Sequence, residues 1–223
     1  MPELDRISVA GPDGPRPRLV IATRSEHKRR ELEELLQLER AALLTLDDFG
    51  VPGEPVEDGA TFEVNAAIKA RFAADATGLP SLADDSGIEV DALDGGPGVL
   101  TRRYSGPDAT DERNNAKLLA ALAGFAPARR GARYVCVLAL AMPGARGPRG
   151  GLRLILRRGT CRGRIATEPR GTGGFGYDPI FEPAGEPPGG RTLGLYTAAE
   201  KHAISHRARA ARRMMPVLRE LGF

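Results

Sequence analysis

The stretch SLADDSGIEV, residues 81–90, sets two adjacent carboxylates, Asp84 and Asp85, ahead of Ser86 and Gly87. Small and apolar residues lead into it and an apolar/acidic alternation follows. The pattern predicts a strand, a sharp turn holding the carboxylates, and a second strand. Neighbouring side chains of a strand face opposite ways, so the two carboxylates should do different jobs, one facing a cleft and the other bracing the turn. An Asp-Ser-Gly turn is by itself a common solvated turn. Its chemical weight comes from residues elsewhere in the chain. Glu57 is a further carboxylate ahead of a helix, Lys69 lies one turn from Asn65 on a helix face, and Lys28 follows a strand–turn junction. Lys201, His206 and Arg207 sit near the C-terminus, and Phe175, Gly176, Tyr177 and Asp178 belong to a glycine loop. Carboxylates, several cations and one exposed aromatic are what a Mg²⁺–nucleoside triphosphate site requires.

These residues need elements to hold them. Residues 1–18 are rich in Gly and Pro and read as a disordered leader, followed by a single domain over 19–223. Residues 19–22 form a buried first strand and lead through Thr23, Arg24 and Ser25 into a helix with Leu32, Leu35, Leu36 and Leu38 at helical spacing. A strand–turn–helix start brings free backbone N–H groups and Lys28 to one point, which suits phosphate. A second strand over 43–46, a loop over 47–59 and a helix over 61–76 come next. Thr110 or Asp111 can cap a helix running through Leu122. Residues 134–141 are the clearest strand. A turn-rich excursion over 143–151 leads to an antiparallel strand at 152–156, and a last helix starting near Thr197 carries Lys201, His202, His206 and Arg207.

Composition limits the alternatives. The 223 residues suffice for a large core. The net charge of +3 arises from 32 basic and 29 acidic residues, too even a balance for a nucleic-acid coat. The two cysteines lack CxxC spacing, which argues against a disulfide framework or zinc site. No run reaches the length of a membrane span and no apolar signal stretch opens the chain, so a cytoplasmic setting is expected. GTGGFG, residues 171–176, matches the dinucleotide pattern literally, but Pro169 and Arg170 precede it and Pro179 follows, where a strand and a helix are required. His202 and His206 have zinc-like spacing, but Ala203 stands where the metalloprotease motif needs Glu.

Taken in order, LADDSG with its downstream GGPG and RYSG, then GTGGFGYDPIF, then K-x-x-x-SHR at 201–207 resemble the inosine/xanthosine triphosphate pyrophosphatase family. The resemblance covers nearly everything from Leu19 onward. It departs at the first motif, where the family's T-G-N-x-x-K is Thr23-Arg24-Ser25-Glu26-His27-Lys28, and Arg24 adds a cation there. The family's S-A-R-Y becomes Thr101-Arg102-Arg103-Tyr104, and the loop before Lys201 is shorter than usual. The resemblance implies an α/β fold with a mixed central β-sheet flanked by helices, in two lobes with the active cleft between them, and a homodimer. It implies Mg²⁺-dependent hydrolysis of inosine, deoxyinosine and xanthosine triphosphates to monophosphate and pyrophosphate. It gives Asp85 the roles of metal ligand and proton acceptor and Glu57 that of second metal carboxylate. Substrate contacts fall on Thr23, Arg24, Ser25, Lys28, Lys69, Ser86, Phe175, Gly176, Tyr177, Asp178, Lys201, His206 and Arg207. Two other readings compete: a pyrophosphatase for other modified nucleotides, and a nucleotide-binding sensor without turnover. Retention of both Asp85 and Glu57 argues against the sensor.

Overall fold

The computed structural model describes residues 16–144 and 151–223. Most of the expected leader, and most of the turn-rich excursion over 143–151, therefore lie outside the described residues. Arg18, expected at the end of the leader, is the first residue of β1 (Arg18–Ile21).

Six strands form one mixed sheet in the order β2-β1-β3-β4-β5-β6. From β1 the chain passes through α1 (Glu26–Leu36) to β2 (Ala42–Thr45), which lies parallel to β1. It returns through α2 (Phe62–Thr77) to β3 (Ser81–Val90), parallel to β1 on its other side. After α3 (Asp111–Ala121), strands β4 (Gly131–Met142), β5 (Arg153–Ile165) and β6 (Phe181–Pro183) add on antiparallel. β1 is thus flanked by strands reached in opposite directions. A crevice opens past the carboxyl end of a strand in that position, and residues 23–28 occupy it.

Both faces of the sheet are covered. On one, Leu19, Ile21, Leu82, Leu138 and Leu140 pack with Leu32 and Leu36 of α1 and with Ala210, Met214 and Leu218 of the last helix. On the other, Val20, Ala83, Val135, Val137 and Ala139 pack with Phe62, Ala66, Ala70 and Ala73 of α2. The small residues of α2 let it lie close to the sheet.

The structure corrects two expectations near the site. The turn expected at residues 84–87 does not exist. β3 runs unbroken from Ser81 to Val90, with Asp84 paired to Leu138, Asp85 to Val137, Ser86 to Cys136 and Gly87 to Val135. An uninterrupted ladder against apolar β4 overrides the local turn preference of Asp-Ser-Gly. The last helix is two helices, α4 (Ala198–Ile204) and α5 (His206–Glu220). Ser205 is extended between them, and its hydroxyl accepts from Ala208 N at 3.1 Å to cap α5. His202 and His206 therefore do not share a helix face. α5 sits close on the sheet because residue 159 is glycine: a Cβ there would stand 2.2 Å from His206 O.

Candidate active site

Alternation along β3 separates the two carboxylates. Leu82 faces the α1/α5 layer and Ala83 the α2 layer, so Asp84 points toward α5 and Asp85 toward α2. Asp84 is wholly buried. Its Oδ2 accepts from Arg207 at 3.1 Å and from Ser86 Oγ at 3.0 Å, and lies 3.4 Å from Lys28 Nζ. Burial acts to raise its pKa, but Lys28, Arg207 and Lys69 outweigh burial and hold it well below the usual carboxylate range. Asp85 takes the opposite course. Burial pushes its pKa up, and Lys69, whose Nζ donates to Asp85 Oδ1 at 2.8 Å, only partly offsets this. Two adjacent carboxylates driven apart in this way suit different roles, a fixed charge and a base.

Lys69 also donates to Glu57 at 3.1 Å, so Glu57 and Asp85 converge on one ammonium. Burial lowers the pKa of Lys69, and Asp85, Asp84 and Glu57 raise it above its ordinary value, so it remains a cation. Among the described residues no cluster of three His, Cys, Asp or Glu side chains is placed to hold a metal. Mg²⁺ does not need one. It binds through one or two carboxylates with water and phosphate oxygens completing the shell. Glu57 and the desolvated Asp85, drawn together on one cation, fit that requirement.

The strand–helix junction stands across the same cavity, whose volume is about 780 Å³. Ser25 caps α1, its side chain accepting from Lys28 N. The first turn of α1 therefore presents free N–H groups beside Lys28. Thr23, Ser25 and Lys28 line the cavity as the sequence suggests. Arg24 lines it too, but its guanidinium is engaged elsewhere, pairing with Asp47 and donating to the carbonyls of Val51 and Gly53. It braces the 47–53 loop.

The cavity is also lined by Phe175, Gly176, Tyr177, Asp178, Lys201, His206 and Arg207. Lys201 donates to Asp178 and to Glu31, both at 2.7 Å, and Arg207 pairs with Glu31, Asp84 and Ser86. Glu31 of α1 thus ties the two cations to the first helix. Burial would raise its pKa, but Arg207 and Lys201 hold it low. Arg207 spends three of its five donors on Glu31, Asp84 and Ser86, and Lys201 two of its three on Asp178 and Glu31, so both cations keep donors for a ligand. His206 is neutral, its pKa driven well down by burial and then by Arg207 and Lys201. It stacks on Tyr134, with ring centroids 4.6 Å apart, and the Tyr134 hydroxyl reaches Asp178 at 3.3 Å. Phe175 lies under Lys201 and Arg207 and stacks on His27 at 5.3 Å.

Sequence reasoning missed Glu31, His27 and Tyr134. For the first two a signal existed, since His27 and Glu31 are one turn apart on α1 and share a face with Lys28 nearby. Tyr134 reads only as an apolar strand residue, and nothing local links it to a position 44 residues away.

A cavity at the switch point of an α/β sheet, lined by a phosphate-suited helix start, a base-like carboxylate and an aromatic platform ringed by cations, defines a nucleotide-processing α/β protein. The comparisons with known proteins narrow the class. The chain belongs to the Ham1 family, whose family model matches residues 19–217. A dITP/XTP pyrophosphatase of Syntrophobacter fumaroxidans is 50% identical over 192 residues, 86% of this chain and 78% of that protein. Its counterpart in Geobacter sulfurreducens is 49% identical over 86% of this chain and 92% of that protein. A HAM1 protein from Coxiella burnetii superposes with a TM-score of 0.80 at 41% identity, covering 92% of this chain and 99% of that one.

Proposed function

We propose that this chain hydrolyses non-standard purine nucleoside triphosphates, of the inosine, deoxyinosine and xanthosine type, to monophosphate and pyrophosphate, with Mg²⁺ as cofactor. The observation that carries the reading is Asp85: a carboxylate with raised basicity, fixed by Lys69 beside Glu57, in one cavity with a phosphate-suited helix start and an aromatic platform. Relatives about half identical to it carry the name dITP/XTP pyrophosphatase.

On this reading the N–H groups at the start of α1, with Lys28, hold the outer phosphates. That leaves the innermost phosphorus near Asp85. Asp85 takes a proton from the attacking water as the bond to the outer two phosphates breaks, and pyrophosphate leaves. Glu57 and Asp85 would hold Mg²⁺, which when bound would supply Lewis-acid polarisation of phosphate oxygens. Lys69 keeps the two carboxylates in place and is a cation throughout. Phe175 stacks on the base, a contact worth about 1–3 kcal/mol and nearly blind to base identity. Selection therefore rests on polar groups. The remaining Lys201 donor suits a 6-keto oxygen, whereas the 6-amino group of adenine would leave it unpaired. Arg207, held by Glu31 and Asp84, fixes Lys201 and the floor of the pocket. We take the working form to be a cytoplasmic homodimer, to be checked by light scattering on the purified protein. Among the described residues no helix is long and apolar enough to cross a membrane.

Chromatography of an inosine triphosphate digest tests the reaction. Inosine monophosphate and pyrophosphate are expected, and accumulation of inosine diphosphate would point to a γ-phosphatase instead. Equal kcat/KM for inosine triphosphate and ATP would refute the base-reading scheme.

A further inference from the structure

Helix α3 lies outside the two helical layers that cover the sheet, yet its polar face is turned to one residue of the glycine loop. Asp111 Oδ2 accepts from Gly176 N at 2.6 Å, and Asn115 Nδ2 donates to Gly176 O at 3.1 Å. The two side chains are one helical turn apart on the same face, so one rigid element grips both peptide groups flanking Gly176. The glycine itself has φ +63° and no neighbour within reach of a Cβ, so it is there for its backbone conformation and not for space.

The next residue back is Phe175, the platform. Its own N–H is held by Asp178 Oδ2 at 3.0 Å, and the hydroxyl of Tyr177 is tied to Thr101 O at 2.9 Å. The ring direction is therefore set by a backbone pinned on both sides. The Asp178 hold also serves Lys201, whereas the two grips from α3 act on the loop backbone alone. Asn115 shows a cost: its Oδ1 is buried without a hydrogen-bond partner among the described residues. The other half of that amide holds the loop carbonyl. The neighbouring Asn114 makes the contrast clear, since both halves of its amide are satisfied, by Ser105 N at 2.8 Å and Arg102 O at 3.1 Å.

We infer that Asp111 and Asn115 are positioning residues for base selection: they orient Phe175 so that a stacked purine presents its 6-position to Lys201. The inference rests on the base-reading site proposed above. An unpinned ring would still stack, but any purine could slide or tilt, and the penalty for the wrong 6-substituent would shrink.

The test compares wild type with Asp111→Ala, Asn115→Ala and the conservative Asp111→Asn, using inosine triphosphate and ATP as substrates and inorganic tripolyphosphate as a base-free inhibitor. Thr110→Ala is the control. It removes the N-cap of α3, whose hydroxyl accepts from Arg113 N at 3.2 Å, without touching Gly176. Loss of a charge-assisted hydrogen bond predicts that Asp111→Ala lowers the inosine-to-adenine ratio of kcat/KM by about tenfold. Asn115→Ala should lower it less, and Asp111→Asn should keep most of it through its remaining acceptor oxygen. Tripolyphosphate inhibition should stay at the wild-type level in all of them, and Thr110→Ala should lose stability but keep the ratio. An unchanged ratio in Asp111→Ala, or an equal fall in Thr110→Ala, overturns the inference while leaving the activity standing. Wild-type protein that shows no preference for inosine triphosphate overturns the base-reading site and this inference with it.

Discussion

Asp84 and Asp85 are neighbours in sequence, and replacing each by Asn should give opposite outcomes. Asp85 ionises with difficulty in the folded chain, its pKa standing above the ordinary 3.8. A folded state that binds the proton more readily than the unfolded state is weakened when the proton leaves, so at neutral pH ionised Asp85 works against folding. That statement already includes the attraction of Lys69, because the shift is the sum of every contact. Asn resembles the protonated acid, so Asp85→Asn should leave the melting temperature unchanged or raise it. Loss of a general base should at the same time cost a factor of about 10²–10⁴ in turnover. Asp84 is the reverse case. Its charge is fully buried against Arg207 and Lys28 and favoured by them. Removing one partner of such a pair leaves a buried charge uncompensated, at about 3–5 kcal/mol. For a chain of this size each kcal/mol is worth roughly 2–4 °C, so Asp84→Asn should lower the melting temperature by about 6–20 °C. Pyrophosphate release and thermal melts on the two variants decide the matter. Near-normal turnover in Asp85→Asn, or a large loss of stability in that variant alongside lost activity, would refute the division of roles.

The same two pKa shifts order the acid response. Activity should fall as pH drops through the raised pKa of Asp85, whereas the Asp84 contribution to stability is present above about 3.8 and is lost only as pH falls further toward its depressed pKa. A kcat/KM profile read beside near-ultraviolet circular dichroism should show activity failing first, and simultaneous loss would contradict this. Glu31→Gln removes the anchor shared by Lys201 and Arg207, and should reduce discrimination between inosine triphosphate and ATP by roughly tenfold, since hydrogen bonds to charged groups are worth about 1.5–3 kcal/mol. His27 covers the Phe175 ring and is exposed, so His27→Ala should lower KM for inosine triphosphate by a factor of about 2–10, the worth of one aromatic contact. A raised KM would instead mark His27 as a substrate contact.

Short-range pattern was enough to read several parts of this protein. The apolar run ahead of Thr23, the leucines of α1, the alanine face of α2 and the long apolar β4 all declare themselves through periodicity, because burial of one face imposes it. The order of motifs from LADDSG to SHR likewise pointed to the family and the kind of chemistry. What those residues do to one another was not legible. The carboxylates at 84–85 were expected in a turn, since Asp-Ser-Gly favours one locally. They lie instead in mid-strand, because pairing with β4, some 50 residues onward, is stronger than that preference. Opposite pKa shifts arise at adjacent positions because Lys28, Arg207 and Lys69 outweigh burial at Asp84 whereas burial outweighs Lys69 and Lys28 at Asp85, and three separate helices bring these cations to the two faces of one strand. Arg24 belongs to the first motif in sequence but braces the 47–53 loop in space, and Arg207, expected as a substrate contact, also pairs with Glu31 and Asp84. Charge partners are chosen by the folded packing, across separations of 176 residues in one case, and nothing in local sequence encodes a distance of that kind.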